Sequence, residues 1–89
     1  MEKNETQRLR KAVLEVIHAQ IRENDPPETK QALKRLLEQA FSEEEAIKLI
    51  GYVVVSEVFN VLKENRQYDK EKYISALNDL PRLPQQKEG

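Results

Sequence analysis

The chain contains no cysteine and one histidine, His18. No disulfide can staple it, and a zinc site built from cysteine or histidine is excluded. It has two glycines, and its four prolines fall in two places, Pro26-Pro27 and Pro81 with Pro84. So few turn formers speak against β-structure. A surplus of charge is missing too: 15 Lys and Arg against 16 Asp and Glu leave a net charge of −1. A duplex DNA or RNA binder usually carries a basic excess that displaces counterions, and this chain has none overall. The apolar run around Gly51 to Val55 is far too short to cross a bilayer. The first residues, MEKNETQRLRK, lack the apolar core of a signal peptide, so a cytoplasmic location is expected. Without cysteine, the chain also suits a reducing compartment.

What is present is helical periodicity. The 89 residues are read as one domain, with an ordered core over about residues 5–80 and a frayed tail at 85–89. Over residues 5–23, Leu9, Val13, Val16, Ile17 and Ile21 recur at helical spacing and form one apolar arc. Asn24-Asp25-Pro26-Pro27 breaks that helix, because proline lacks an N–H and disfavours α geometry in the residue before it. Pro27 suits the first turn of the next helix, and Glu28 suits its positive end. This second helix is expected over 27–40, with Ala32, Leu33, Leu36, Leu37 and Ala40 inward.

Ser42-Glu43-Glu44-Glu45 reads as a capping box, with Phe41 placed for a hydrophobic staple. The third helix, 42–63, is the greasiest part of a polar protein. Its apolar arc runs from Val53 to Val55 and takes in about half the circumference, wider than a surface helix needs. Tyr52 and Phe59 lie on the flank beyond it. A polar loop, Glu64 to Tyr68, leads to Asp69, which caps a last helix over 70–80 with Tyr73, Ile74, Leu77 and Leu80 inward. The expected fold is therefore all-α: a small four-helix domain with a central apolar third helix.

Two polar residues interrupt apolar faces. Glu57 falls inside the arc of the third helix, and Gln20 at the centre of the first helix's face. A buried carboxylate without a partner is costly. Both side chains are thus expected near the contact of the first and third helices, bonded to each other or to another polar group. An enzyme site centred on Glu57 is the sharper alternative. His18 points away from the apolar arc and reads as a surface residue. Gly51, inside a helix, reads as a close-packing point; no glycine-rich run accompanies it to form a phosphate loop. No nucleophile–base pair, metal set or cofactor motif is present.

The tight turn before the third helix raises the question of DNA. That helix begins with three glutamates and offers valines, a poor groove reader. Arg8, Arg10 and Lys11, and Lys30, Lys34 and Arg35, form two small basic patches with acids interleaved. A weak nucleic-acid association through them is a second alternative.

Gln20-Ile21, Asn24-Asp25-Pro26-Pro27-Glu28, Arg35-Leu36, and Glu45-Ala46-Ile47 with Ile50-Gly51 together form a recognisable pattern. Over about residues 13–80 the chain resembles a small helical domain found in uncharacterised prokaryotic proteins. Two positions depart from that pattern: Lys48 stands where a histidine is common, and His18 where a glutamate is common. The resemblance implies an all-helical cytoplasmic protein and carries no activity. The leading expectation is a non-enzymatic domain that binds a protein, either a second copy or another partner. The contact is expected on the flank of Tyr52, Val55 and Phe59, because only three other helices, the second and fourth of them brief, are there to cover so wide an apolar arc.

Overall fold

The computed structural model describes residues 2–84, with side chains from residue 5 onward; the expected frayed tail at 85–89 lies outside the described residues. Four helices follow one another: α1 (Glu2–Glu23), α2 (Pro27–Glu38), α3 (Glu43–Glu64) and α4 (Lys70–Asp79). The described residues contain no strand. The fold is all-α, with α3 packed against each of the other three helices.

The helix starts follow the local sequence. Ser42 Oγ accepts from the Glu45 N–H at 3.0 Å, and the Glu45 carboxylate accepts from the Ser42 N–H at 3.0 Å, a closed capping box. Asp69 caps α4 by accepting from the Lys72 N–H at 3.2 Å. Pro27 opens α2 without a side-chain cap, and costs nothing there because a first-turn N–H has no helical partner.

The ends of α1, α2 and α3 share one device. Asn24, Ala40 and Asn65 all have positive φ, at 52°, 77° and 52°. After each, the next N–H reaches back five residues: Asp25 to Gln20, Phe41 to Leu36 and Arg66 to Val61, at 3.0–3.1 Å. These are Schellman closures, in which one left-handed residue lets the last carbonyls find donors. The closure at Ala40 ends α2 at Glu38. Ala40 is therefore exposed and outside the helix, not on its inner face.

The core gathers Ile17 from α1, Ala32 and Leu36 from α2, Ala46, Ile50 and Val53 from α3, and Tyr73, Leu77 and Leu80 at the α4 end. The α2 helix also contacts all three others, whereas α1 and α4 do not approach each other backbone to backbone. The α1 helix crosses α3 at Gly51, where an added Cβ would lie 3.3 Å from Val13 Cγ1. Besides Ala40, three residues expected inward are not. Leu9 is 56% exposed, Val16 40% and Leu37 42%. The reason for Leu9 is length: all of residues 5–12 are exposed, so the first half of α1 overhangs the layer beneath it, while Val16 borders a groove with Val58 and Leu62.

Candidate functional site

Gln20 is half-buried on the inner side of α1. Its Oε1 accepts hydrogen bonds from Thr29 Oγ1 of α2 at 2.7 Å and from the Tyr73 hydroxyl of α4 at 2.9 Å. One amide oxygen thus ties three helices together. Thr29 is fully buried, and sequence reasoning passed it over. Burial raises the Tyr73 phenol above its ordinary value of 10.0, while the hydrogen bonds to Gln20 and Thr29 oppose that shift. Tyr68 stacks edge-on against Tyr73, with ring centres 5.9 Å apart. Its phenol is raised as well, first by burial and then by the charge of Glu57.

Glu57 is 8% exposed and does not bond to Gln20. Its Oε2 accepts from Arg66 Nη1 at 3.0 Å and from the Asp69 N–H at 3.1 Å, and Oε1 accepts from Arg66 Nη2 at 3.3 Å. The left-handed turn at Asn65 is what brings Arg66 back to Glu57. Arg66 also pairs with Glu64 through Nε at 2.6 Å. The guanidinium is raised further above its usual value, by the hydrogen bond to Glu57 first and to Glu64 second. The same contact holds Glu64 below the usual carboxylate range. Glu57 therefore fastens the α3–α4 loop to the start of α4. Arg66 had no signal in the sequence beyond its charge, because the partner lies nine positions away across a turn.

The basic patches divide. Arg35 is half-buried and spends its guanidinium on the last carbonyls of α4, donating to Leu77 O at 3.0 Å and Leu80 O at 2.8 Å. The expectation that Arg35 belongs to a basic patch with Lys30 and Lys34 is thereby corrected: the C-terminus of α4 attracts a cation and has open acceptors. Lys30, Lys34, Arg8, Arg10 and Lys11 are exposed. Glu28 Oε1 is buried without a hydrogen-bond partner, in the first turn of α2, where the helix dipole favours a carboxylate.

The apolar surface is the largest remaining feature. The inner half of α3 is covered, but Tyr52 is 39% exposed, Val55 39%, Val58 54%, Phe59 59% and Leu62 74%. Between α1 and α3 runs an open groove of about 700 Å³, with Leu9, Val13, Gly51, Tyr52 and Val55 along it and Arg10, Lys48 and His18 at its rim. A smaller groove of about 290 Å³, on Val16, Val54, Val58 and Leu62, continues the same face past Gln20 and Glu57.

Among the described residues, no group of three or more metal-ligating side chains comes together, and no helix is long and apolar enough to cross a membrane. Comparison with protein-family models, with curated proteins and with solved structures gave no match.

Proposed function

We propose that this chain is a non-enzymatic, cytoplasmic protein-interaction domain that binds a protein partner, a second copy among the candidates, through the outer face of α3 and the groove against α1. We place it with the small helical domains of uncharacterised prokaryotic proteins that its motifs resemble. The observation that carries the interaction reading is the exposure of Val55, Val58, Phe59 and Leu62 on one helix, beside Leu9 and Val16 of the next. Scattered apolar residues on a surface are ordinary; a contiguous line on two packed helices marks a contact surface. The polar residues do not compete with this reading. Both oxygens of Glu57 are engaged by the chain itself, and Arg35 is committed to α4.

Affinity capture from the native host, with the partners identified by mass spectrometry, tests the reading. The wild-type chain should retain a protein, itself or another, that Phe59→Asp releases while its helical circular dichroism is kept. Identical captures by the two chains would refute it.

A further inference from the structure

We infer that the partner is a second copy of this chain, the two α3 helices lying antiparallel about a two-fold axis; this rests on the reading of that face as an interaction surface. Tyr52, Val55, Phe59 and Leu62 are spaced by three, four and three residues, the seam of a helix that pairs with another helix. Phe59 and Leu62 become progressively more exposed along that seam, at 59% and 74%. The α1 helix repeats the spacing in Leu9, Ala12, Val16 and Ala19, with Leu9 on the groove of Val55 and Val16 on that of Val58 and Leu62. Each copy thus offers two adjacent apolar ridges. Two copies face to face make a four-helix layer, the usual way such ridges are buried.

Charge selects the direction. The first turn of α3 carries Glu43, Glu44 and Glu45, and its last turn Lys63 beside Glu64, whose charge Arg66 offsets. Parallel pairing would set glutamates against glutamates. Antiparallel pairing with full overlap sets Glu44 across from Lys63 and Lys48 across from Phe59, where an ammonium over a ring is favourable. Tyr52 then lies across from Val55, and the interface is isologous, as a two-fold axis requires.

Sedimentation equilibrium on the purified chain across the micromolar range tests the association. We expect twice the 10.4 kDa chain mass, and a folded monomer for Phe59→Asp. Should that variant lose its helical signal, Leu62→Asp, at the most exposed position of the seam, takes its place. A monomeric wild type, or a dimer unmoved by the folded variant, overturns the inference. The interaction reading fails separately, by face-independent capture. Direction is read by disulfide cross-linking, since the natural chain has no cysteine. A mixture of Lys48→Cys and Phe59→Cys copies should cross-link where neither alone does. Cross-linking of each variant with itself would overturn the antiparallel arrangement.

Discussion

Gln20 joins three helices through a single atom. Its Oε1 is the acceptor for both Thr29 and Tyr73, and it supplies the link between α1 and α4 that backbone packing does not. An unsatisfied buried donor costs ~1–3 kcal/mol. Gln20→Leu removes the shared acceptor and leaves the Tyr73 and Thr29 hydroxyls only each other, so one donor is stranded and we predict a loss of about 1–3 kcal/mol by urea denaturation. Thr29→Val, which removes one donor and leaves the other pair intact, should cost about 1 kcal/mol. Tyr73 adds a pH dependence. Its phenol is raised in the folded state because burial disfavours the phenolate, so the folded state holds that proton more tightly than the unfolded chain. The stabilisation is complete below the ordinary value of 10.0 and is lost as pH rises through the folded value. The urea midpoint should therefore fall as pH rises past the ordinary tyrosine value of 10.0. Tyr73→Phe should remove most of that slope and leave the part due to Tyr68.

At the scale of the element, α1, α2 and α3 all end on a left-handed residue, but only two of the three residues suit the position. Asparagine visits that region readily, through its short polar side chain. Alanine does not: Ala40 at φ 77° carries a Cβ against its own carbonyl. Ala40→Gly should therefore stabilise the domain by about 0.5–1 kcal/mol, the relief of strain exceeding the greater freedom of glycine in the unfolded chain. A fall in the denaturation midpoint would contradict this. Gly51 is the opposite case. A Cβ there meets Val13 Cγ1 at 3.3 Å, and a β-branched residue in a helix has little rotameric freedom to give way. Helix propensity favours alanine by about 1 kcal/mol, so Gly51→Ala should come out near neutral. Gly51→Leu should lose about 1–3 kcal/mol by forcing α1 off α3.

At the scale of the whole molecule, α2 and α3 form the body, and α1 lies across it with its first half overhanging. That arrangement opens the groove and leaves the outer seam of α3 exposed. The same view weighs against nucleic acid. The charges nearly cancel, α3 begins with three glutamates and Arg35 is diverted to α4. We predict no binding to duplex DNA at moderate salt beyond weak non-specific association. A fluorescence anisotropy titration with submicromolar affinity and a steep salt slope would contradict it.

The number of helices, their starts and the breaks between them were legible in the sequence, because each is decided within a few residues. Ser42 with Glu45, Asp69 with the Lys72 amide, and Pro27 at a first turn are local chemistry. The oddity of Gln20 and Glu57 was legible too, since periodicity alone marks a polar group on an apolar face. Their partners were not. Thr29 and Tyr73 reach Gln20 from two other helices, and Arg66 reaches Glu57 only because Asn65 turns the chain back. The extent of the exposed face was likewise hidden. Leu9 and Val16 have the spacing of core residues, but α1 outruns the layer that would have covered Leu9, and Val16 borders an open groove beside Val58 and Leu62. Local capping and periodicity are properties of neighbours in sequence, which the chain states directly. Which apolar ridge finds a covering helix depends on where the helices cross, and that was decided only in three dimensions.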